Sequence, residues 1–436
     1  MNNTYKVGLY TLGCKVSLYE TEAVGEAFAD AGFEVCSFDE VCDVYVINTC
    51  TVTAESDAKS RKYIRRAVRR NPRAAVIVIG CYSQRAPAEV AAIAGVGAVI
   101  GTADKLSAVD CARKLLSERA EAPIMSVGDL EGTPFEPMCI RRAPRTRGYV
   151  KIEDGCECKC TYCAIAAARG PVRSKRPEDV IAEVEQLYRT GTKEIVLTGI
   201  ETGSYGIDLS GGCDLAELIR RLSDRHSCER IRLGSMAPEL VGEKFITRVG
   251  NLPILVPHFH VSMQSGSDNV LRAMKRRYNR KTALDNISRI REYMPHVMFT
   301  ADLMVGFPGE SEEDFLDTVR FVREARLLDA HVFAYSRREG TPAADYPLQV
   351  ADNIKKERSS RLMAVVSEVR DEVLFEVVAS QRPLSCIVEE GRDGVYTAHS
   401  DSYIEVSLKS DKVISGELVS VMPVEHKNGV VYGKLV

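Results

Sequence analysis

Gly155-Cys156-Glu157-Cys158-Lys159-Cys160-Thr161-Tyr162-Cys163 is the stretch on which the reading of this chain turns. Cys156, Cys160 and Cys163 stand in a C-x3-C-x2-C spacing. Three thiolates on one short loop can hold three irons of a cubane [4Fe–4S] cluster and leave the fourth iron open to a small chelating ligand. Tyr162, just before the last cysteine, fits the same reading. Zinc is the alternative, and Cys158 supplies a fourth thiolate within the loop, but structural zinc usually joins two separated cysteine pairs.

Working outward, the run Tyr149–Ile152 before this loop opens a series of strand-like segments: Glu194–Leu197, Arg230–Leu233, His258–Met263, Met298–Met304 and His331–Tyr335. Six strands interleaved with helical stretches predict a partial (β/α)6 barrel, whose chemistry belongs at the C-terminal strand ends. Nearer the N-terminus, Val7–Tyr10, Val44–Ile47, Val76–Ile79 and Ala98–Ile100 alternate with helical patterns and predict an open parallel α/β sheet. Three of these runs lead to a cysteine a few residues on, at Cys14, Cys50 and Cys81. Ligands of open α/β sheets gather at the carboxyl ends of the strands, so the three thiols are expected to share one site. The plainer alternative is burial as small hydrophobes. After Asp371 short alternating runs, Ser385–Val388, Val395–Ala398, Ile404–Ser407 and Leu418–Val421, predict a small antiparallel β-barrel of oligonucleotide-binding size. A loop with Gly132, Pro134, Pro137 and Pro144 marks a boundary near residue 140. The fold class expected is α/β, in three domains at residues 1–138, 139–370 and 371–436.

The length of 436 residues agrees with about three units at roughly 150 residues each. No apolar run approaches the roughly 20 residues that span a membrane, so no membrane association is expected. The first residues also lack the pattern of a secretory signal, and the expected location is the cytoplasm. In a reducing compartment the fourteen cysteines read as metal ligands, catalysts or buried thiols rather than disulfides. Cys36, Cys42, Cys111, Cys139, Cys213, Cys228 and Cys386 have no partner spacing, and burial is expected for them. The net charge of −3 is neutral on nucleic acid, so local runs matter more. Ser60–Arg73 carries seven basic residues at mainly three- and four-residue spacing, which predicts a positive helical stripe. Further clusters occur at Arg141, Arg142, Arg145, Arg147, Arg169, Arg173, Lys175 and Arg176, and from Arg272 to Lys281. Solvated helix faces are the ordinary explanation of isolated runs.

Taken together, the motifs resemble the radical S-adenosylmethionine superfamily and, more narrowly, its methylthiotransferase branch, over essentially the whole chain. Thr11-Leu12-Gly13-Cys14-Lys15-Val16, Asn48-Thr49-Cys50-Thr51-Val52-Thr53 and Gly80-Cys81-Tyr82-Ser83-Gln84 look like the branch's three cysteine motifs for a second [4Fe–4S] cluster. Leu197-Thr198-Gly199-Ile200, His260 through Ser267 with Ser262 and Gln264, and Val305-Gly306-Phe307-Pro308-Gly309-Glu310 resemble the motifs around the cofactor pocket. The resemblance implies two [4Fe–4S] clusters, on Cys156/Cys160/Cys163 and on Cys14/Cys50/Cys81. It also implies S-adenosylmethionine held by Thr198, Gly199, Ile200, Ser262, Gln264, Val305, Gly306 and Phe307. The partners implied are transfer RNA, an electron donor such as a flavodoxin or ferredoxin, and a sulfur source. One departure is Ser17, where the branch normally has asparagine, which bears on hydrogen bonding at the auxiliary site.

Three substrates are known in the branch: isopentenyladenosine and threonylcarbamoyladenosine in transfer RNA, and an aspartate of a ribosomal protein. Thr11–Val16 and the late Phe333-Ala334-Tyr335-Ser336-Arg337-Arg338-Glu339-Gly340-Thr341-Pro342-Ala343-Ala344 look most like the threonylcarbamoyladenosine enzymes, with C2 of that nucleoside at position 37 as the implied target. Arg337 or Arg338 is then the candidate contact for the substrate carboxylate. The C-terminal segment resembles the RNA-binding module called TRAM, yet residues 376–436 hold six Lys or Arg against nine Asp or Glu, not a basic grip. Two readings from other classes are a noncatalytic iron–sulfur RNA-binding protein and an electron carrier. Neither requires two three-cysteine sites together with a cofactor pocket. No separate catalytic His, Asp or Ser arrangement is legible.

Overall fold

The computed structural model describes residues 4–118, 121–411 and 415–436. The chain forms two compact units: Met1–Ile140 with Glu153–Lys175 and Ser336–Ala344, and Arg141–Ile152 with Arg176–Tyr335 and Asp345–Val436.

In the first unit a six-stranded sheet runs in the order Glu34–Cys36, Lys6–Thr11, Val44–Thr49, Ala75–Gly80, Val96–Ile100, Ile124–Ser126. Every pair is parallel. All six positions of both Val44–Thr49 and Ala75–Gly80 are buried, which is why these strands read as unbroken apolar runs: helices cover both faces. One core cluster gathers Tyr45, Ile47, Ile64, Val76, Val78, Tyr82 and Val99, and each large apolar side chain so enclosed is worth about 1.5–3 kcal/mol. Strand order reverses between Lys6–Thr11 and Val44–Thr49, the topological switch point at which open α/β sheets bind ligands.

The second unit carries the expected barrel strands in two parallel ladders. Arg147–Lys151, Glu194–Thr198 and Arg230–Leu233 form one; Ser235–Met236, His258–Gln264, Met298–Val305 and Asp329–Ala334 form the other. An isolated parallel bridge, Ile231 with Leu255, lies between them. The C-terminal barrel is closed by five strands, Leu384–Arg392, Val395–Ser400, Glu405–Lys409, Leu418–Lys427 and Val430–Leu435. The last of these was not expected from sequence. Strand pattern also begins later than Asp371, because the 28-residue helix Asp352–Ala379 continues past it. Leu362, Val366, Val369, Val373 and Leu374 recur at helical spacing and are buried. Among the described residues no helix is long and apolar enough to cross a membrane.

Candidate metal and cofactor sites

Each cysteine of the first triad sits at a sheet-end turn that glycine and capping make possible. Cys14 is the N-cap of the helix Lys15–Asp30, and Cys81 opens the helix Cys81–Arg85. Cys50 follows the strand Val44–Thr49 directly, four residues before the helix Ala54–Arg70, which Thr53 caps by accepting from the Ser56 N–H at 3.1 Å. Gly13 and Gly80 have φ of +122° and +100°. A Cβ on Gly13 would lie 2.9 Å from Ser17 Oγ and 3.2 Å from Cys50 Cβ, and one on Gly80 would lie 2.3 Å from Asn48 Oδ1. The close approach of Gly13 to Cys50 brings two of the distant motifs together.

Burial raises the Cys50 thiol, and it pushes Cys81 up to about 11 against the pull of the Arg169 guanidinium. The three cysteines follow adjacent strand ends: Thr11 is in register with Asn48, and Thr49 with Gly80. Asn48 donates through Nδ2 to Ser17 O at 2.9 Å and to Thr21 Oγ1 at 3.2 Å, while its Oδ1 is buried without a hydrogen-bond partner among the described residues. Ser17 itself is buried, with Oγ 3.9 Å from Cys14 Sγ. Among the described residues no three His, Cys, Asp or Glu side chains are closed up as a metal-holding set. Three thiols, glycine turns with no room for a Cβ and an orphaned amide oxygen nonetheless suit a ligand that draws the sulfurs inward.

The second triad lies on one loop of the same unit. Its cysteines are half-buried. Backbone N–H groups of Cys158 and Ile165 donate to the sulfurs of Cys156 and Cys163, each at 3.4 Å. Such N–H···S bonds stabilise charge on thiolates and tune a cluster they hold. Cys156 N–H donates to Gly170 O at 3.0 Å, Cys163 N–H to Cys160 O at 3.2 Å, and Ala343 N–H to Thr161 O at 2.8 Å, so the loop is pinned at its base and its middle. Gly155, with φ of +85°, leaves no room for a Cβ: it would fall 1.9 Å from Pro171 O.

The expected cofactor-pocket residues all belong to the second unit, at the C-terminal ends of barrel strands. Thr198 ends Glu194–Thr198 and is followed by Gly199 and Ile200. On His258–Gln264 a register shift between Val261 and Gln264, together with φ of +67° at Gln264, turns the strand end. Ser262 O accepts from Tyr278 Oη at 2.8 Å and from Arg276 Nη2 at 3.1 Å, while the Ser262 hydroxyl is buried without a partner among the described residues. Val305 ends Met298–Val305, and Gly306 N–H donates to Glu310 Oε1 at 2.8 Å. Arg358 Nη1 donates to the same carboxylate oxygen at 2.6 Å, and burial still raises the Glu310 carboxyl. Phe307 is fully buried, edge-on to Tyr335 and Tyr346. A positive-φ glycine turn covered on one side by the Lys355 side chain, an orphaned hydroxyl and an apolar wall suit an amphipathic nucleoside cofactor.

Several cations behave otherwise than expected. Arg169, Arg173 and Lys175 are buried and committed inside the first unit, so they cannot track phosphates. Arg147 pairs with Glu389 at 2.5 Å. Arg280 and Lys281 pair with nearby carboxylates. On the helix Ala54–Arg70, Arg66 and Arg70 are drawn to Asp39, and Arg61 donates to Tyr82 Oη at 2.9 Å. Lys62, Arg65, Arg69 and Arg73 stay exposed and carry the positive stripe. Arg338 is 4% exposed and donates to Asp57 Oδ2 at 2.6 Å and Thr51 Oγ1 at 2.8 Å, which leaves exposed Arg337 as the candidate carboxylate contact. Charge spacing in sequence does not reveal which cations a long-range carboxylate will capture.

Residues 6–101 match the model described as "Uncharacterized protein family UPF0004", and residues 150–322 match that of the radical SAM superfamily. A threonylcarbamoyladenosine tRNA methylthiotransferase MtaB of Bacillus subtilis strain 168 is 39% identical over 421 residues, covering 95% of this chain and 93% of its own. Its namesake in Aquifex aeolicus is 34% identical, covering 96% and 100%. A tRNA-2-methylthio-N(6)-dimethylallyladenosine synthase of Rhodococcus jostii is 33% identical, covering 99% and 85%. Among solved structures, the radical S-adenosylmethionine methyltransferase TsrM of Kitasatospora setae shares the fold, with a TM-score of 0.59 at 16% identity over 78% of this chain and 77% of that one. With relatives this similar along nearly its whole length, and with a C-x3-C-x2-C cysteine triad on one loop, the chain belongs to the radical SAM tRNA methylthiotransferases of the MtaB type.

Proposed function

We propose that the protein methylthiolates C2 of N6-threonylcarbamoyladenosine at position 37 of transfer RNA, using S-adenosylmethionine and two [4Fe–4S] clusters. The observation that carries the two-cluster reading is that Cys14, Cys50 and Cys81 follow three adjacent strand ends at a topological switch point, whereas Cys156, Cys160 and Cys163 share a loop of their own. When bound, the clusters and S-adenosylmethionine supply the radical and sulfur chemistry; the protein supplies geometry. Cys156, Cys160 and Cys163 would hold one cluster and Cys14, Cys50 and Cys81 the other, each triad leaving one iron open.

Thr198, Gly199, Ile200, Ser262, Gln264, Val305, Gly306 and Phe307 would bind S-adenosylmethionine. In that role the Ser262 hydroxyl would gain the partner it lacks among the described residues, and Glu310 would hold the Gly306 turn in place. Lys62, Arg65, Arg69 and Arg73 would follow phosphates, and Arg337 would meet the threonyl carboxylate. A flavodoxin or ferredoxin would deliver electrons in the cytoplasm, and a separate donor would replenish sulfur.

The choice of nucleoside is supported by relatives named for threonylcarbamoyladenosine, which reach 39% identity against 33% for one named for the dimethylallyl substrate. The experiment is anaerobic reconstitution with iron and sulfide, then incubation with reductant, S-adenosylmethionine and transfer RNA carrying either nucleoside. Mass analysis should find the methylthio product only from threonylcarbamoyladenosine. Product only from isopentenyladenosine would overturn the substrate, and no 5′-deoxyadenosine with both clusters verified would overturn the mechanism.

A further inference from the structure

Arg169 is fully buried, in the unit that holds both cysteine triads. It ends the helix Ile165–Arg169, which starts two residues after Cys163. Its Nη1 donates to Glu20 Oε1 at 2.5 Å and to the two Asp154 oxygens at 3.2 and 3.1 Å, and its Nη2 donates to Glu20 Oε2 at 3.2 Å. Asp154 ends the short strand Glu153–Asp154 that leads into the loop of the second triad, and its Oδ1 accepts from Gly155 N–H at 2.9 Å. Glu20 lies on the helix that Cys14 caps. Lys105 shares Glu20 with Arg169, 3.2 Å from it and 3.5 Å from Glu136. The guanidinium is thus clamped from two sides, and its Nε donates to Cys81 Sγ, 3.1 Å away.

A staple between the helix Lys15–Asp30 and the strand Glu153–Asp154 would need only the carboxylate contacts. The N–H···S contact is an addition, and it falls on one of the three thiols assigned to the auxiliary site. Hydrogen bonds to cluster sulfurs and nearby net charge set the potential of an iron–sulfur centre, and outer groups orient the ligands. We propose that Arg169 is a positioning residue of the auxiliary site: it donates to the Cys81 sulfur, favours the reduced state of the centre held there, and ties that sulfur to the C-x3-C-x2-C loop through Asp154. This rests on the two-cluster reading.

The test uses the full chain with Cys156, Cys160 and Cys163 replaced by alanine, so that only the auxiliary site can bind iron. Its midpoint potential is followed by electron paramagnetic resonance without substrate or turnover, in the parent and with R169Q, R169K or E20Q added. R169Q should lower the reduced-to-oxidised ratio about tenfold at fixed potential, a shift of about 59 mV for one electron. R169K should recover part of it, and E20Q, which removes a negative charge, should shift the midpoint the other way. An unchanged midpoint in R169Q at equal iron content overturns the proposal. If R169Q holds no cluster, R169K and E20Q decide: shifts of opposite sign from each other support it, and an E20Q midpoint equal to the parent's overturns it. A parent that binds no iron defeats the two-cluster reading itself, an outcome distinct from the others.

Discussion

The two cysteine triads solve the same ligand problem by opposite means. Cys156, Cys160 and Cys163 share one loop whose own N–H groups already address two of the sulfurs. Cys14, Cys50 and Cys81 come from three strand ends that only the completed sheet brings together. The loop site is therefore a property of local sequence, whereas the sheet site is a property of the fold. Anything that loosens the sheet should reach the second before the first.

The largest expected effects separate the triads outright. Alanine at Cys156, Cys160 and Cys163 together should abolish reductive cleavage of S-adenosylmethionine. Alanine at Cys14, Cys50 and Cys81 should leave some 5′-deoxyadenosine while blocking the methylthio product. Equal cleavage in the two variants, measured by chromatography, would erase the division of labour.

Next come the glycines that shape each site. Gly155→Ala drives a methyl against the Pro171 carbonyl with φ at +85°, and Gly80→Ala drives one against Asn48, a side chain buried and doubly bonded. Left-handed backbone costs an L-residue about 1–2 kcal/mol and overpacking about 1–3 kcal/mol more. Thermal melts should show both variants destabilised, Gly155→Ala the more because its Cβ meets a backbone oxygen at 1.9 Å, against 2.7 Å for the nearest backbone atom at Gly80. Iron content should then fall first at the loop site in Gly155→Ala and first at the sheet site in Gly80→Ala.

What was legible in the sequence follows the same line. A C-x3-C-x2-C spacing carries its meaning in nine consecutive residues, and the sheet cysteines were legible because each trails an apolar strand. Arg169 was legible only as one more basic residue: Glu20, 149 positions away, converts it from a candidate phosphate contact into a buried link between loop and sheet. Arg338 was misread likewise, because Asp57 lies 281 positions off. The helix Asp352–Ala379 hid the start of the C-terminal barrel because its buried positions sit among many charges.

A smaller effect is expected at Ser17, buried with its hydroxyl facing Cys14. Ser17→Asn enlarges that side chain in a closed space, for a cost of about 1–3 kcal/mol unless the amide finds the neighbouring sulfur. Spectra of the auxiliary centre should change and those of the loop centre should not. Changes at both would mean that the two sites are less independent than their construction suggests.

The smallest effect is a control in the second unit, which contributes no cysteine to either triad. On adjacent barrel strands, His260 Nε2 lies 3.1 Å from Asp302 Oδ2 and His331 Nδ1 lies 3.3 Å from Oδ1. The hydrogen bond to Asp302 raises the His331 pKa; burial raises the Asp302 carboxyl, but its two histidines outweigh this and hold it well below the usual range. Because the His331 pKa is higher folded than unfolded, its contribution is full below the unfolded value of about 6.5 and is lost as pH rises through the folded value. Its side chain is 72% exposed, so water screens the pair and the contribution stays within about 1 kcal/mol. Urea unfolding should therefore show a slight loss of stability from pH 6 to pH 8 that His331→Gln removes, with iron content unchanged at both triads. Loss of iron from either triad in that variant would show that the barrel strands and the thiol sites are energetically coupled, and the contrast between a local site and a fold-made one would need a third term.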